Sequence, residues 1–334
     1  MFGLENPLDS PSSPPPFFTK RSLLLANARS GIRLVVEMLL APTVWVPSYL
    51  CACIIEAIKG TKAKIKFYEV DDSLALSSRE WLDEVQRGDL VLVIDFFGFP
   101  FDNDCAMRAQ ERGAWVLDDA CQALLTETTG RVADFILFSP RKFLGVPDGA
   151  ILNIKTEHHF ELISLRRSPA EWWLKAWVAT LLRREFDLHG TGRRWFELFR
   201  EVETEAPIGS YAMSELSHLL LQKGVAYATV AQRRAANYRS LGKALEALAL
   251  FPALATGVVP LGFPIRVRNR DALRKKLFDQ EIYPPVHWPL EGLVPGDFER
   301  SHLLSREIMT LPCDQRYDEG EMNRVAQLIL NEAH

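Results

Sequence analysis

Trp115-Val-Leu-Asp118-Asp119-Ala-Cys-Gln122 and, a little further on, Ala133-Asp-Phe-Ile-Leu-Phe-Ser139-Pro-Arg-Lys142 decide the fold of this chain. Each reads as a short apolar strand that ends by presenting polar groups. The first presents carboxylates and an amide, the second a hydroxyl and an amine. On the N-terminal side, strands and helices alternate. Ser30-Gly31 ahead of Ile32, Leu34, Val35, Val36, Met38 and Leu39 predicts a buried helix with Ser30 as its N-cap. Strands are expected over 44–47, 63–70, 90–96, 115–117, 135–138 and 149–154. Helices are expected over 49–59, 77–86 and 102–112. Continuous apolar strands alternating with helices argue for a mostly parallel sheet covered on both faces. In such sheets ligands sit beyond the carboxyl ends of the strands, where Asp119, Gln122, Ser139 and Lys142 are expected.

That set of groups has a chemical meaning. A lysine amine can attach covalently to the aldehyde of pyridoxal phosphate, and a carboxylate can keep the cofactor's ring nitrogen protonated so that the ring draws electrons. An amide and a hydroxyl supply hydrogen bonds to its oxygens.

The remainder of the chain sets limits. With 334 residues, 48% hydrophobic and 25% charged, it has the composition of a large globular protein, expected in two lobes. The net charge of -4 is spread along the sequence, and no basic stretch suggests a nucleic-acid partner. The five cysteines are scattered; Cys51-Ala-Cys53 is too tight for a usual metal knuckle, and reduced thiols in a cytoplasmic protein are expected. Residues 1–20, rich in proline and serine, read as a flexible tail rather than a secretory signal. No apolar run is long enough to span a membrane. The large domain is expected over 21–204 and a smaller α+β lobe over 205–334. A helix containing Trp172, Trp173 and Trp177 is expected to pack on a neighbouring lobe or subunit, and a long helical stretch is expected over 213–250.

The ordered motifs resemble the sugar aminotransferases of the DegT/DnrJ/EryC1/StrS type, within the fold-type I pyridoxal-phosphate enzymes. That family's Glu-Asp-Ala-Ala-Gln/His strand end stands here as Asp118-Asp119-Ala120-Cys121-Gln122. Its Gly-Asp-x-x-x-Phe-Ser-Phe strand and following lysine stand as Ala133-Asp134-Phe-Ile-Leu-Phe138-Ser139-Pro140-Arg141-Lys142. Further echoes, in family order, are Val46-Pro47-Ser48-Tyr49, Phe97-Gly98-Phe99-Pro100, Pro147-Asp148-Gly149-Ala150, Tyr211-Ala212-Met213-Ser214-Glu215-Leu216 and Val286-His287-Trp288-Pro289-Leu290. The resemblance covers about residues 25 to 330.

It implies a fold-type I architecture and a role for each residue. Lys142 carries the cofactor and moves a proton between it and the substrate carbon. Asp119 pairs with the ring nitrogen, and Gln122 reaches the 3-hydroxyl. Ser139 and the backbone at Gly31-Ile32 hold the phosphate. Tyr49 or Cys51 lies against the ring face. Ser210 stands where the family has an asparagine that crosses to the partner subunit's phosphate, so a homodimer is implied. The implied reaction passes an amino group, from glutamate as expected donor, to a nucleotide-linked keto-sugar in surface-polysaccharide or secondary-metabolite synthesis. Alternatives are a fold-type I enzyme for another small keto or amino compound, and a non-catalytic homologue acting as a partner in a polysaccharide-synthesis complex.

Three departures stand out. The Ser139-to-Lys142 spacing is two residues tighter than is common in the family. Ile32 replaces a phosphate-turn threonine, and Ser210 replaces the asparagine. Taken singly, each residue also has a plain structural reading. Asp118-Asp119 could cap a helix, Ser139 could serve a turn, and Lys142 could lie in solvent. His287 reads as a hydrogen-bonded structural histidine and Cys121 as a buried filler; Arg141 reads equally as an anion ligand or half of a salt bridge. The ordered combination favours the catalytic reading.

Overall fold

The structure is a computed structural model that describes residues 15–155, 163–190 and 192–332. Its centre is a nine-stranded sheet in the order β3-β2-β4-β5-β6-β7-β1-β9-β8. The strands are β1 (Ser22–Leu25), β2 (Thr43–Pro47), β3 (Lys64–Tyr68), β4 (Leu90–Ile94), β5 (Trp115–Asp119), β6 (Phe135–Phe138), β7 (Ala150–Ile154), β8 (Arg166–Arg167) and β9 (Tyr211–Ala212). The run β3-β2-β4-β5-β6 is parallel throughout. β7 then runs antiparallel between β6 and β1. The central strands β4 and β7 are buried at every position, as strands covered on both faces must be.

The covering helices come from the stretches between strands: α1 (Ala28–Leu39), α2 (Ala52–Ile58) and α3 (Asn103–Glu111). α1 starts earlier than the sequence suggested. Its N-cap is Asn27, whose side chain accepts from the Ser30 amide at 3.1 Å, so Ser30 lies inside the first turn. Asparagine is at least as good a cap as serine, and here it is the residue with extended backbone. The expected helix over 77–86 is a short 3₁₀ segment, Glu80–Glu84.

After β7 the chain builds a helical hairpin from α4 (Ala170–His189) and α5 (Arg194–Thr204). The tryptophan-rich helix is covered from within its own chain. Trp172 is buried against α5 and donates its indole N–H to the Val202 carbonyl at 3.0 Å, and Trp177 is also buried. The apolar residues that α4 leaves exposed are Leu174, Val178, Leu181 and Leu188 instead. The chain then returns to the large sheet at β9, past the expected domain boundary at 204.

The long helical stretch is broken at Gly224–Ala226 into α6 (Glu215–Lys223) and α7 (Tyr227–Leu245). The smaller lobe pairs β10 (Phe263–Arg266) with β11 (Ile308–Leu311) in antiparallel register and packs α7, α8 (Arg270–Asp279) and α10 (Glu319–Glu332) on it. α9 (Glu299–Glu307) joins the large core through Leu304.

Of the expected tail, residues 1–14 lie outside the described residues. Residues 15–20 are not a free tail: Phe17 is buried against Phe138 and Tyr227, and its carbonyl accepts from Asn153 at 2.9 Å. No helix among the described residues is long and apolar enough to cross a membrane.

Candidate active site

The register of the parallel strands brings the polar groups together. Asp119 ends β5, and its neighbours across the ladder are Ile94 of β4 and Leu137 of β6. β6 ends at Phe138. Ser139 leads into one 3₁₀ turn, Pro140–Lys142, in which the Lys142 amide donates to the Ser139 carbonyl at 3.2 Å. Proline at the start of that turn fixes its backbone without wasting a donor. Adjacent strand ends therefore present a carboxylate and an amine on the same edge of the sheet.

Successive strand residues face opposite sides, and this separates the two aspartates. Asp118 points into a buried pocket lined by Asp95, Phe101, Gly130 and Val132, where one oxygen accepts from the Gly130 amide at 2.8 Å and the other has no partner. Burial, reinforced by Asp95, pushes its carboxyl well above the usual range. Burial also raises Asp95 to about 6. Asp119 faces the other way, and one of its oxygens accepts from the Cys121 amide at 3.1 Å.

Lys142 is half-buried, and its amine makes no hydrogen bond or ion pair with any described residue. Burial alone would lower its pKa. The groups around it, Cys121, Asp119, Cys53 and Cys51, outweigh that and raise it. Cys121 and Cys53 are themselves pushed well above the ordinary thiol value, Cys121 chiefly by burial and Cys53 chiefly by its hydrogen bond with Cys51. Both are neutral near pH 7, which leaves the Asp119 carboxylate as the principal counter-charge.

Gln122 is buried. Its carbonyl oxygen accepts from the Phe97 amide at 2.7 Å, which orients the side chain, while its Nε2 donors have no partner among the described residues. Phe97-Gly98 is held by close packing: Gly98 has φ +103°, and a Cβ there would lie 2.4 Å from the Val259 carbonyl. Thr126 adds a hydrogen bond from its hydroxyl to the Gly98 carbonyl at 2.8 Å.

The structure separates the two candidates for the ring face. Tyr49 is fully buried, with its ring in contact with Phe96 and Trp288 at 6.0 and 5.7 Å between centroids. Cys51, at the start of α2, is partly accessible and lies within electrostatic range of Lys142 and Asp119. A hydrogen bond with Cys53 lowers its thiol to about 7.

Gly31 and Ile32 are not where the sequence reading placed them. Since α1 opens at Ala28, both lie past its first turn and face the sheet. Ile32 is in the core, and Gly31 sits so close to β6 that a Cβ would come 2.5 Å from a methyl of Leu137. The free end of the helix is Ala28-Arg29-Ser30. Ser210 lies near it in the segment entering β9, where the Ser210 carbonyl accepts from the Arg166 amide at 2.8 Å. The adjoining Pro207 carbonyl accepts from Asn27 and Ser30 at 2.7 and 3.1 Å.

Around these groups stand Arg141 and His287, both named from the sequence, and Arg29, Glu203 and Arg234, which the sequence does not mark. Arg141 forms a salt bridge with Glu203 of α5 at 2.6 Å, and Arg29 reaches the same carboxylate at 3.7 Å. From the smaller lobe, Arg234 of α7 is fully buried and donates to the carbonyls of Pro260, Leu261 and Phe143 at 3.2, 3.0 and 3.3 Å. Its guanidinium also lies 4.5 Å from the Phe143 ring centroid, and Gln315 donates to the Phe143 carbonyl at 2.7 Å. The residue after Lys142 is thus clamped by the other lobe. No sequence signal marks Arg234, because an arginine in a polar helix reads as a surface residue. Asp148 ties the return of the lysine loop to α6. It accepts from the Ser214 amide and hydroxyl at 2.8 and 2.6 Å and from the Ser217 hydroxyl. His287 is half-buried and neutral, its pKa lowered by burial to about 3, and it bonds to Thr310 at 2.8 Å.

The residues present fit pyridoxal phosphate. The unpartnered Gln122 amide, the unpaired Lys142 amine and the Asp119 carboxylate match the polar atoms around its ring. No protein-family model matches the sequence, and no curated protein matches it. Solved structures do match. DesV of S. venezuelae, solved with a ketimine intermediate, superposes with a TM-score of 0.69 at 18% identity, over 95% of this chain and 85% of that one. A DegT DnrJ EryC1 StrS aminotransferase from Brucella abortus gives 0.61 at 18% identity over 93% and 86%. DesI, solved in the presence of its TDP-sugar product, gives 0.65 at 17% identity over 93% and 80%. At these identities the likeness is one of architecture: the chain has the fold-type I aminotransferase fold.

Proposed function

We propose that this protein is a pyridoxal-phosphate-dependent aminotransferase that passes an amino group from glutamate to a nucleotide-linked keto-sugar and works as a cytoplasmic homodimer. The observation that carries the reading is the Lys142 amine, unpaired and half-buried, beside Asp119 at the ends of the neighbouring parallel strands β6 and β5. The sugar substrate rests on likeness to proteins such as DesI, a weaker ground than the residues themselves.

Bound pyridoxal phosphate supplies an electron sink for the carbon that carries the amine. The chain does the rest. Asp119 holds a proton on the ring nitrogen by its charge. Gln122 Nε2 would donate to the cofactor's 3-hydroxyl oxygen, and the other end of this amide is already fixed by the Phe97 N–H. Lys142 Nζ would hold the cofactor covalently until the amino donor displaces it, and the freed amine would then carry a proton between the substrate carbon and the cofactor. Ser139 and the first turn of α1, Ala28 to Ser30, hold the phosphate. Ser210 of this chain reaches the partner's phosphate. Cys51 takes the ring face, since Tyr49 is sealed in the core.

The test is spectroscopic. Purified protein mixed with pyridoxal phosphate develops a visible absorbance band. Borohydride fixes the cofactor to Lys142, as located by peptide mapping. Glutamate converts the band to that of the amine form, and a keto acid restores it. Attachment at another lysine, or no response to any amino donor, overturns the reading.

A further inference from the structure

The start of α1 carries an arrangement that the proposed reaction does not require. Glu203, from the last turns of α5, projects its carboxylate between two guanidiniums. Arg141, one residue before Lys142, holds it at 2.6 Å; Arg29, in the first turn of α1, lies 3.7 Å from it and also donates to the Glu203 carbonyl at 2.9 Å. Three residues from distant parts of the sequence thus converge beside the amine-bearing turn.

The geometry is that of an anion site rather than of a simple structural ion pair. One carboxylate is shared between two arginines, and each guanidinium has more donors than that carboxylate can take up. Arg141 is mostly buried, and its Nε–H has no partner among the described residues, so the carboxylate does not satisfy the guanidinium fork. Arg29 splits its attention with Glu56 at 3.2 Å. A phosphate monoester has more acceptor oxygens and more charge than a carboxylate, and a helix start favours an anion at this place.

We propose that Arg29 and Arg141 form a phosphate-binding site that Glu203 occupies as an internal surrogate, and that a phosphate-bearing ligand must displace Glu203 to bind. This rests on the reading of the strand-end cleft as a pyridoxal-phosphate site only for the source of the phosphate. The Glu203 carboxylate serves both half-buried guanidiniums as a shared counter-charge. Affinity for the ligand is reduced by the fraction of molecules in which the carboxylate is seated.

The full-length chain and its Glu203→Gln, Glu203→Asp and Arg141→Gln variants are titrated calorimetrically, in phosphate-free buffer, with inorganic phosphate, pyridoxal phosphate, pyridoxal and uridine diphosphate. Glu203→Gln keeps the side chain's shape and removes its charge. It is expected to bind inorganic phosphate at least roughly fivefold more tightly than the parent, the lower end of ordinary coupling strengths. Glu203→Asp, with a shorter reach, is expected to fall between the two, and Arg141→Gln to lose phosphate binding. Pyridoxal, which lacks the phosphate, should bind the parent and Glu203→Gln alike. If pyridoxal phosphate shares the gain, the displaced carboxylate makes way for the cofactor. If only uridine diphosphate does, displacement stands and the ligand is the substrate's diphosphate. Equal binding of inorganic phosphate by parent and Glu203→Gln, or none by either, overturns the proposal, even where pyridoxal phosphate still attaches to Lys142. A gain in phosphate binding without any attachment to Lys142 leaves this proposal intact and overturns the cofactor reading instead.

Discussion

The strand-end group of Asp119, Gln122 and Lys142 and the helix-start group of Arg29, Arg141 and Glu203 lie side by side and are built in opposite ways. The first comes from two strands close in sequence. Once β5 and β6 pair in parallel register, their ends present their side chains with little further choice. The second joins the first turn of α1, the lysine turn and the far end of a helical hairpin, and it exists only when all three have docked. Local chain geometry therefore sets the groups assigned to the chemistry, and tertiary packing sets the groups around them that carry charge.

The sharpest way to break this contrast is within the strand-end group. Asp119→Asn should lower turnover by about 10² to 10⁴ with the fold intact, since it removes the charge that acts on the ring nitrogen. Asp118→Asn should leave turnover within roughly a few-fold, because this side chain faces away from Lys142 and burial disfavours its charge. Steady-state kinetics with circular dichroism as the folding control decides it. The reverse result would mean that the opposite face of β5 carries the site.

A smaller effect is expected from the clamp supplied by the other lobe. Arg234→Lys keeps the charge but not the planar fork that reaches three carbonyls and stacks on Phe143. Unsatisfied buried carbonyls cost about 1–3 kcal/mol each, so the midpoint of urea unfolding should fall. Turnover should fall as well if the clamp positions Lys142. A stability loss with unchanged turnover would confine Arg234 to holding the lobes together.

The mildest prediction concerns Cys51. Its folded pKa is lowered to about 7, so the thiolate is the minor form below that pH and the major form above it. Alkylation by iodoacetamide should rise through pH 7 at Cys51 and remain slow at Cys105 and Cys121, whose thiols burial pushes up. Pyridoxal phosphate should protect Cys51. Peptide mass mapping across pH 6 to 9 gives the profile, and unchanged labelling with cofactor present would remove Cys51 from the ring face.

The same division explains what the sequence disclosed. Apolar strands β2, β4, β5, β6 and β7 are legible because full burial demands unbroken apolar runs. The two-residue strands β8 and β9 are too short to leave a period. The start of α1 was misplaced by a few residues because Ser30 and Asn27 are both good caps, and only the backbone tells which one is used. That slip moved the expected phosphate turn to Gly31-Ile32 and hid Arg29. Tyr49 looked suited to stacking by its chemistry, but the contacts with Phe96 and Trp288 that seal it come from loops far away in sequence. Arg141 admitted two readings, anion ligand or ion pair, and the fold gives it a carboxylate partner from α5.

Gly31 then takes on a meaning beyond packing. With no side chain there, α1 rests directly on Leu137, two residues before Ser139 and five before Lys142. Leu137 is itself fully buried. The helix and the strand therefore act as a gauge between the place proposed to grip a phosphate and the Lys142 amine proposed to meet the other end of the same small molecule. Widening that gauge by one methyl group would leave both grips intact and the distance between them wrong.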